Sequence, residues 1–152
     1  MGTCFSPDST LVVGTRGAHF EVYDTRSYGV VASPRVTAGT QAVAFCGEGE
    51  TPAVGTGDGS VPMYDTRQWE PLPAPARQVH DGSIEGLHHL GGKLVSAGSD
   101  NAAMLWVELM GEPLRLAGHS GTVTDAAISV DGELVATASD DSSLKLWSAT
   151  TG

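Results

Sequence analysis

Asp141-Ser142-Ser143-Leu144-Lys145-Leu146-Trp147 sets an Asp at a tight turn and, six residues on, an aromatic at the end of a short run that alternates apolar and polar. The phrase recurs as Asp100 to Trp106 and as Asp58 to Tyr64, and in eroded form as Gly17 to Tyr23. Its aromatics stand at 23, 64, 106 and 147, so consecutive copies lie 41, 42 and 41 residues apart. The chain therefore reads as one region of four units, with approximate bounds 1–35, 36–77, 78–115 and 116–152.

Each unit carries several runs of four to six residues rich in Val, Leu and Thr, divided by turns of Gly, Asp or Ser. No gap has room for a crossover helix, so the pattern is a meander of antiparallel hairpins. The expected strands are 2–5, 11–15, 19–24 and 29–32 in the first unit, and 41–45, 52–56, 60–65 and the Pro-rich stretch 70–77 in the second. In the third they are 84–88, 93–97, 102–107 and 113–117; in the fourth 123–128, 134–138 and 143–148. That makes fifteen strands, with the sixteenth missing. Pro62 removes a ladder donor inside the strand 60–65, which should weaken or bulge it. A period of about 40–45 residues with several short strands per repeat is that of a propeller blade. The fold class expected is all-β, an open, partial propeller of four blades that lacks the closing outer strand.

Composition agrees with an all-β reading: 20 Gly and 8 Pro in 152 residues punctuate the chain heavily. The net charge of −10, with Lys93 and Lys145 the only lysines, argues against nucleic acid or an anionic membrane as partner, because phosphate binding needs clustered Lys and Arg. It leans mildly toward basic partners, although a solvated acidic surface accounts for it better. Cys4 and Cys46, the only cysteines, sit in short apolar strands and are expected as buried free thiols, as in a reducing compartment. No apolar run approaches the roughly 18 residues of a membrane span and no signal peptide is visible, so a soluble, cytoplasmic protein is expected.

The residues resemble the WD-repeat family over nearly the whole chain. Gly118-His119 before a strand, Val130-Asp131-Gly132 at a hairpin, Ala138-Ser139-Asp140-Asp141 and Leu144-Lys145-Leu146-Trp147 follow its pattern in unit four. Val79-His80, Ser99-Asp100 and Leu105-Trp106 follow it in unit three, and Phe5-Ser6-Pro7-Asp8 in unit one. Neither Trp106 nor Trp147 is followed by the family's Asp, which appears instead in Tyr23-Asp24 and Tyr64-Asp65. The resemblance implies a buried hydrogen-bonded set in each complete blade: His119, Thr137, Asp141 and Trp147, and likewise His80, Ser96, Asp100 and Trp106. Units one and two lack it, with Val13 and Val54 at the hydroxyl position and Gly17 at the first Asp, and are expected to be the less stable half.

Three fragments tempt toward catalysis. His119 and Asp141 with Ser120 read as a dyad and nucleophile, but the same set recurs about 40 residues earlier, which suits a structural element repeated per blade. Gly55-Thr56-Gly57-Asp58-Gly59 is glycine-rich without the Lys and helix of a phosphate loop. His88-His89 are adjacent in a strand and so face opposite sides of the sheet, which does not suit one metal ion. No catalytic residue, metal, cofactor or small-molecule substrate is expected.

Protein–protein interaction is the expected function, because propellers expose loops on rigid scaffolds. In similar proteins contacts cluster at the residue before the turn Asp, here Arg16, Gly57, Ser99 and Asp140. They cluster also just inside the first strand, at Gln41, Glu85 and Thr124 with Ser83 and Thr122 beside them. Half a ring would leave two raw apolar blade faces, to be covered by more repeats, a second copy or a neighbour in an assembly. The phrases from Phe5 through Val12-Val13-Gly14-Thr15 to Val22-Tyr23-Asp24 are also similar to blades of the echinoderm-microtubule-associated-like proteins. That implies an alternative role in a cytoskeletal or ciliary assembly. A substrate adaptor for ubiquitin ligation is a third reading.

Overall fold

The computed structural model describes residues 2–47, 51–73, 78–109 and 111–151, and among them the regular structure is strand throughout, with no helix. Four antiparallel sheets follow one another along the chain. The first is β1 (Thr3–Phe5), β2 (Leu11–Arg16), β3 (His19–Asp24) and β4 (Val30–Ala32), hydrogen-bonded in that order. The second is the pair β5 (Thr40–Cys46) and β6 (Thr51–Thr56). β7 (Ile84–Leu90), β8 (Lys93–Gly98), β9 (Ala102–Trp106) and β10 (Leu114–Ala117) form the third, and β11 (Val123–Ile128), β12 (Leu134–Ser139) and β13 (Leu144–Ser148) the fourth. The sheets do not close on themselves: this is an open, partial propeller of four blades.

Among the described residues thirteen strands form where fifteen were expected over the chain, and the difference lies in the second blade. Where a strand was expected over 60–65, isolated bridges join Ser60 to Gln78, Ala53 to Met63 and Tyr64 to Pro71. Pro62 is the reason: it accepts through its carbonyl from the Val54 amide at 2.9 Å but has no N–H to return. The part of the Pro-rich stretch at 74–77 lies outside the described residues.

Turn chemistry repeats with the blades. Ser6 Oγ donates to Asp8 at 2.6 Å while the amides of Thr10 and Leu11 donate back to Asp8 and Ser6, and Ser129, Asp131, Glu133 and Leu134 do the same in the fourth blade. These side chains supply acceptors that the turning backbone cannot. The Asp that follows Tyr23 or Tyr64 serves the next turn: Asp24 accepts from the amides of Arg26 and Ser27, and Asp65 from those of Arg67 and Gln68.

The core lies between the sheets, in three apolar clusters. Val13, Phe20 and Val22 of the first blade meet Val43, Phe45, Val54 and Tyr64 of the second. On the other side of the second blade, Ala42, Ala44, Cys46, Ala53 and Met63 meet Ile84, Leu94, Met104 and Trp106 of the third. Val95, Ala97, Ala103 and Leu105 of the third then meet Val123, Ala126, Ile128 and Val135 of the fourth. Successive strand residues point to opposite faces, so each inner blade feeds both neighbours. Cys4 and Cys46 are free thiols within this packing. Burial pushes the Cys4 thiol up to about 11, against a hydrogen bond with the Phe45 backbone, and pushes Cys46 up to about 12.

The seam between the second and third blades passes through Gly59. Its carbonyl accepts from the amides of Val79 and His80, and its φ of +81° is one that side chains rarely adopt. A Cβ there would stand 2.1 Å from the His80 carbonyl oxygen, a backbone atom that cannot step aside. Gly59→Ala is expected to lower stability by about 1–3 kcal/mol through strain at this φ, read as a fall in the urea midpoint. An unchanged midpoint would show that the seam tolerates displacement.

Candidate functional site

In the fourth blade the polar set is a single hydrogen-bonded chain. Trp147 donates through Nε1 to Thr137 Oγ1 at 2.9 Å. Thr137 Oγ1 lies 2.8 Å from His119 Nε2, and His119 Nδ1 lies 2.8 Å from Asp141 Oδ2. An ionised carboxylate only accepts, so the imidazole proton belongs on Nδ1; Nε2 then accepts the Thr137 hydroxyl proton, leaving the hydroxyl oxygen to receive the indole N–H. Every donor has one acceptor. The imidazole is sealed from solvent, while the Asp141 side chain retains 11% of its exposure.

The strand register accounts for the assembly. β12 and β13 pair Thr137 with Lys145 and Val135 with Trp147, so the indole reaches back to a hydroxyl on the same face. Asp141 is anchored from the turn as well: it accepts from the Ser143 hydroxyl at 2.6 Å, the Ser143 amide at 2.9 Å and the Ser120 amide at 3.0 Å. The Ser143 hydroxyl contributes most to holding the Asp141 carboxyl far below the usual carboxylate range, followed by the Ser120 amide; burial opposes them, and the His119 hydrogen bond adds less than burial takes away.

The third blade builds the same chain without its last link. His80 Nε2 stands 2.7 Å from Ser96 Oγ, and His80 Nδ1 2.8 Å from Asp100 Oδ1. Asp100 also accepts from the amides of Asp81 and Ala102 and from Arg115. Burial opposes ionisation of Asp100 most strongly, yet the His80 hydrogen bond and charge together with the two amides hold its carboxyl below the usual range. Trp106 departs from the expectation. Its register is the one Trp147 has, opposite Leu94, but among the described residues no hydrogen bond joins it to Ser96. The indole is packed in the apolar cluster shared with the second blade, among Leu94, Met104 and Ala53, a choice of rotamer that strand spacing does not encode.

The expected contact positions fall on one rim, and the structure adds a feature to them. Register shifts interrupt the first strands between Thr40 and Ala42, between Ile84 and Gly86, and between Val123 and Asp125. The residues they bypass are Gln41, Glu85 and Thr124, all exposed. A bulge of this kind re-aims a side chain and ends regular pairing. Beside each bulge, the residue before the turn Asp is tied in by its amide: Gly57 donates to Ala38, Ser99 to Ser83 and Asp140 to Thr122, at 3.1, 2.9 and 2.9 Å. Ser83 Oγ donates to Glu85 and lies 3.3 Å from Ser99 Oγ. Thr124 Oγ1 reaches the Ala138 carbonyl at 3.3 Å, and Arg16, on the first blade, pairs with Glu21 at 3.1 Å. Within each of blades two to four the two expected positions are thus brought together. Between blades the first strands approach closely: a Cβ on Gly86 would lie 3.3 Å from the Asp125 Cα.

His88 and His89 turn apart as adjacent strand residues must. His88 Nδ1 accepts from the Ile128 amide at 3.1 Å, on the side of the fourth blade. Among the described residues, no group of three His, Cys, Asp or Glu side chains is placed to hold a metal ion.

Comparison with known proteins agrees with this geometry. The family model "WD domain, G-beta repeat" matches residues 111–148, the stretch that contains the complete hydrogen-bonded chain. The chain is 30% identical over 115 residues to a guanine nucleotide-binding protein subunit beta of Arabidopsis thaliana. The chain is built of WD repeats. It is also 40% identical over 63 residues to eukaryotic translation initiation factor 3 subunit I of Scheffersomyces stipitis, and 28% identical over 112 residues to telomerase protein component 1 of Rattus norvegicus. These alignments take in 69%, 41% and 72% of the chain but only 30%, 18% and 4% of the respective relatives.

Two outcomes follow for the WD-repeat core. Thr137→Val strands both the Trp147 N–H and His119 Nε2, whereas Ser96→Ala strands only His80 Nε2. At about 1–3 kcal/mol per unsatisfied buried group, Thr137→Val is expected to lower the thermal midpoint further, which paired melts in circular dichroism will show. For pH, the Asp141 carboxyl is held down in the folded state. Its stabilisation is complete above the unfolded value near 3.8 and is lost as pH falls toward the lower folded value. Urea titrations between neutral and strongly acid pH are expected to show a shallower acid loss for Asp141→Asn than for the unsubstituted chain, from a lower starting stability.

Proposed function

We propose that the chain is a non-enzymatic scaffold that docks protein partners on its bulged rim. The observation that supports this most is the repetition of one bulge at one repeat position in three blades, each turning out an exposed polar side chain (Gln41, Glu85, Thr124) from a rigid framework. Arg16, Gly57, Ser99, Asp140, Ser83 and Thr122 complete the face. Rigid presentation lowers the ordering cost of binding. Two of the similar proteins are, by name, subunits of larger assemblies, the guanine nucleotide-binding protein and the initiation factor. That favours a protein partner for this chain as well.

The polar groups a hydrolase would need are spoken for. His119 and Asp141 are joined to Thr137 and Trp147, and Ser120 meets Asp141 through its amide, not its hydroxyl. A standing place in a cytoskeletal or ciliary assembly is the narrower alternative, resting on the sequence resemblance of the first blade. The acidity of the chain opposes direct docking on the acidic tubulin surface. A role as ubiquitin-ligase adaptor has no residue of its own to support it. A cytoplasmic location is part of the proposal, supported by the free thiols of half-buried Cys4 and buried Cys46.

The test is a rim variant, Gln41→Arg with Glu85→Lys and Thr124→Arg, compared with Val130→Lys, at a fully exposed position of a hairpin turn elsewhere on the fourth blade. Partners cross-linked to the chain in its native source are expected to be lost from the triple variant and kept by the control, with thermal midpoints unchanged within about 0.5 kcal/mol of stability. Retention by the triple variant would remove the rim from consideration. Co-sedimentation with microtubules at high salt would favour the architectural alternative.

A further inference from the structure

The first strands of neighbouring blades lie side by side, and one position on each decides what crosses to the next. In the first sheet, the row that faces the second blade is Cys4 opposite Val13 and Val13 opposite Val22. In the second sheet, the row that faces the third is Ala44 opposite Ala53, with Ala53 bridged to Met63. In the third sheet, against the fourth, it is His88 opposite Val95 and Val95 opposite Leu105. Cys4 takes a hydrogen bond from the Phe45 backbone, and His88 Nδ1 takes one from the Ile128 amide at 3.1 Å. The Ala44 methyl offers no acceptor. One repeat position thus closes three seams with a thiol, a methyl group and an imidazole. Of the three, only an imidazole gains charge in mild acid.

The hydrogen bond fixes the state of the ring. Nδ1 accepts from an N–H, so it is bare, and the neutral imidazole carries its proton on Nε2. A further proton must enter at Nδ1, where it meets the Ile128 N–H head on. Ile128 is buried, so the amide it frees finds no ready acceptor. Protons reach the ring from the axis, because half-buried His88 lines a hollow of about 470 Å³ with His89, Cys4, Ala44 and Leu87. Around β7, β8 brings Lys93, held on the Gly132 carbonyl at 2.6 Å, and β11 brings Asp125, which takes the Ala126 amide at 2.9 Å. β5 brings the buried Cys46 thiol, and β6 has no titratable side chain. Within β7 itself, Glu85 stands at the rim end. Burial, and then the charge of His88, hold His89 below the usual imidazole range, so one charge on the pair opposes a second.

We propose that protonation of His88 releases the Ile128 amide and loosens the third blade from the fourth, so that mild acid acts on this seam and spares the other two. The bond needs the neutral ring, so its contribution is whole above the histidine titration and is lost as pH falls through it. β7 and β11 carry Glu85 and Thr124 at their rim ends, so the same step shifts these two side chains relative to each other. That last consequence alone rests on the docking rim proposed above; the seam itself does not.

Amide hydrogen exchange of the full chain, followed by NMR and corrected for the intrinsic rate, tests the seam between about pH 7.5 and 5. Protection of the Ile128 amide is expected to fall by about tenfold or more, in step with the ring titration of His88, while that of Phe45 holds. His88→Asn offers Oδ1 where Nδ1 stood and cannot ionise, so it is expected to keep Ile128 protected throughout. Constant protection of Ile128 in the unsubstituted chain overturns the proposal. So does a parallel fall at Phe45, which would show general loosening in acid, or a fall that persists in His88→Asn. Should His88→Asn lose its fold, the ring nitrogen shifts of the unsubstituted chain decide. Nδ1 is expected bare at neutral pH and protonated in step with Ile128; a ring that carries its proton on Nδ1 at neutral pH, or stays neutral in acid, overturns it. None of these readouts involves a docking partner, so the seam and the rim fail separately.

Discussion

Packing of one sheet on the next, through strands whose residues alternate sides, is the constraint on which this structure depends. A three- or four-stranded blade cannot bury its own apolar side chains, since they project from both faces. β5 shows the solution in five residues: Val43 and Phe45 go to the first blade, Ala42, Ala44 and Cys46 to the third. Each fully buried Val, Leu or Phe is worth about 1.5–3 kcal/mol. A one-residue slip would exchange the two sets and put Phe45 where the third blade leaves room for alanine. The bulges are compatible with this because they lie at the rim end of the first strands of blades two to four, beyond most of the core alternation.

The polar sets solve a different problem. A buried imidazole needs a partner at each nitrogen, and a tight turn leaves amides unpaired. One aspartate at the turn meets both needs, accepting from His119 and from the amides of Ser120 and Ser143. Blades one and two replace this with simpler devices. Val13 and Val54 occupy the hydroxyl position and are fully buried in the apolar cluster between them. Asp58 is left to its own turn, where Thr56 and Ser60 satisfy it. Buried threonines not evident in the repeat pattern take over elsewhere: Thr40 Oγ1 lies within 3.1 Å of the carbonyls of Gly17 and His19, linking two blades.

Much of this was legible in the sequence, because a repeat writes the same physics four times. The 41-residue spacing marked the blades, and the ten residues between Thr137 and Trp147 set both on one face of a hairpin. What stayed hidden depends on choices that spacing does not record. Trp106 and Trp147 share a register yet differ in where the indole lies. The bulges at Gln41, Glu85 and Thr124 leave no mark in composition, since one extra residue in a strand changes pairing and not pattern. The help that Ser143 gives Asp141 was visible only as the contrast between Asp-Ser-Ser in the fourth blade and Asp-Asn-Ala in the third.

The arrangement divides the molecule's chemistry between inside and outside. The histidines and aspartates of the third and fourth blades' polar sets are committed inside the blades, His80 to Ser96 and Asp100 and His119 to Thr137 and Asp141. Gln41, Glu85 and Thr124 stand exposed on the bulged rim, where the backbone is pinned by the amides of Gly57, Ser99 and Asp140. A side chain can change on such a rim without disturbing either the apolar alternation or the histidine–aspartate pairs, because it belongs to neither. That independence allows a single architecture to carry different surfaces at the ends of its first strands.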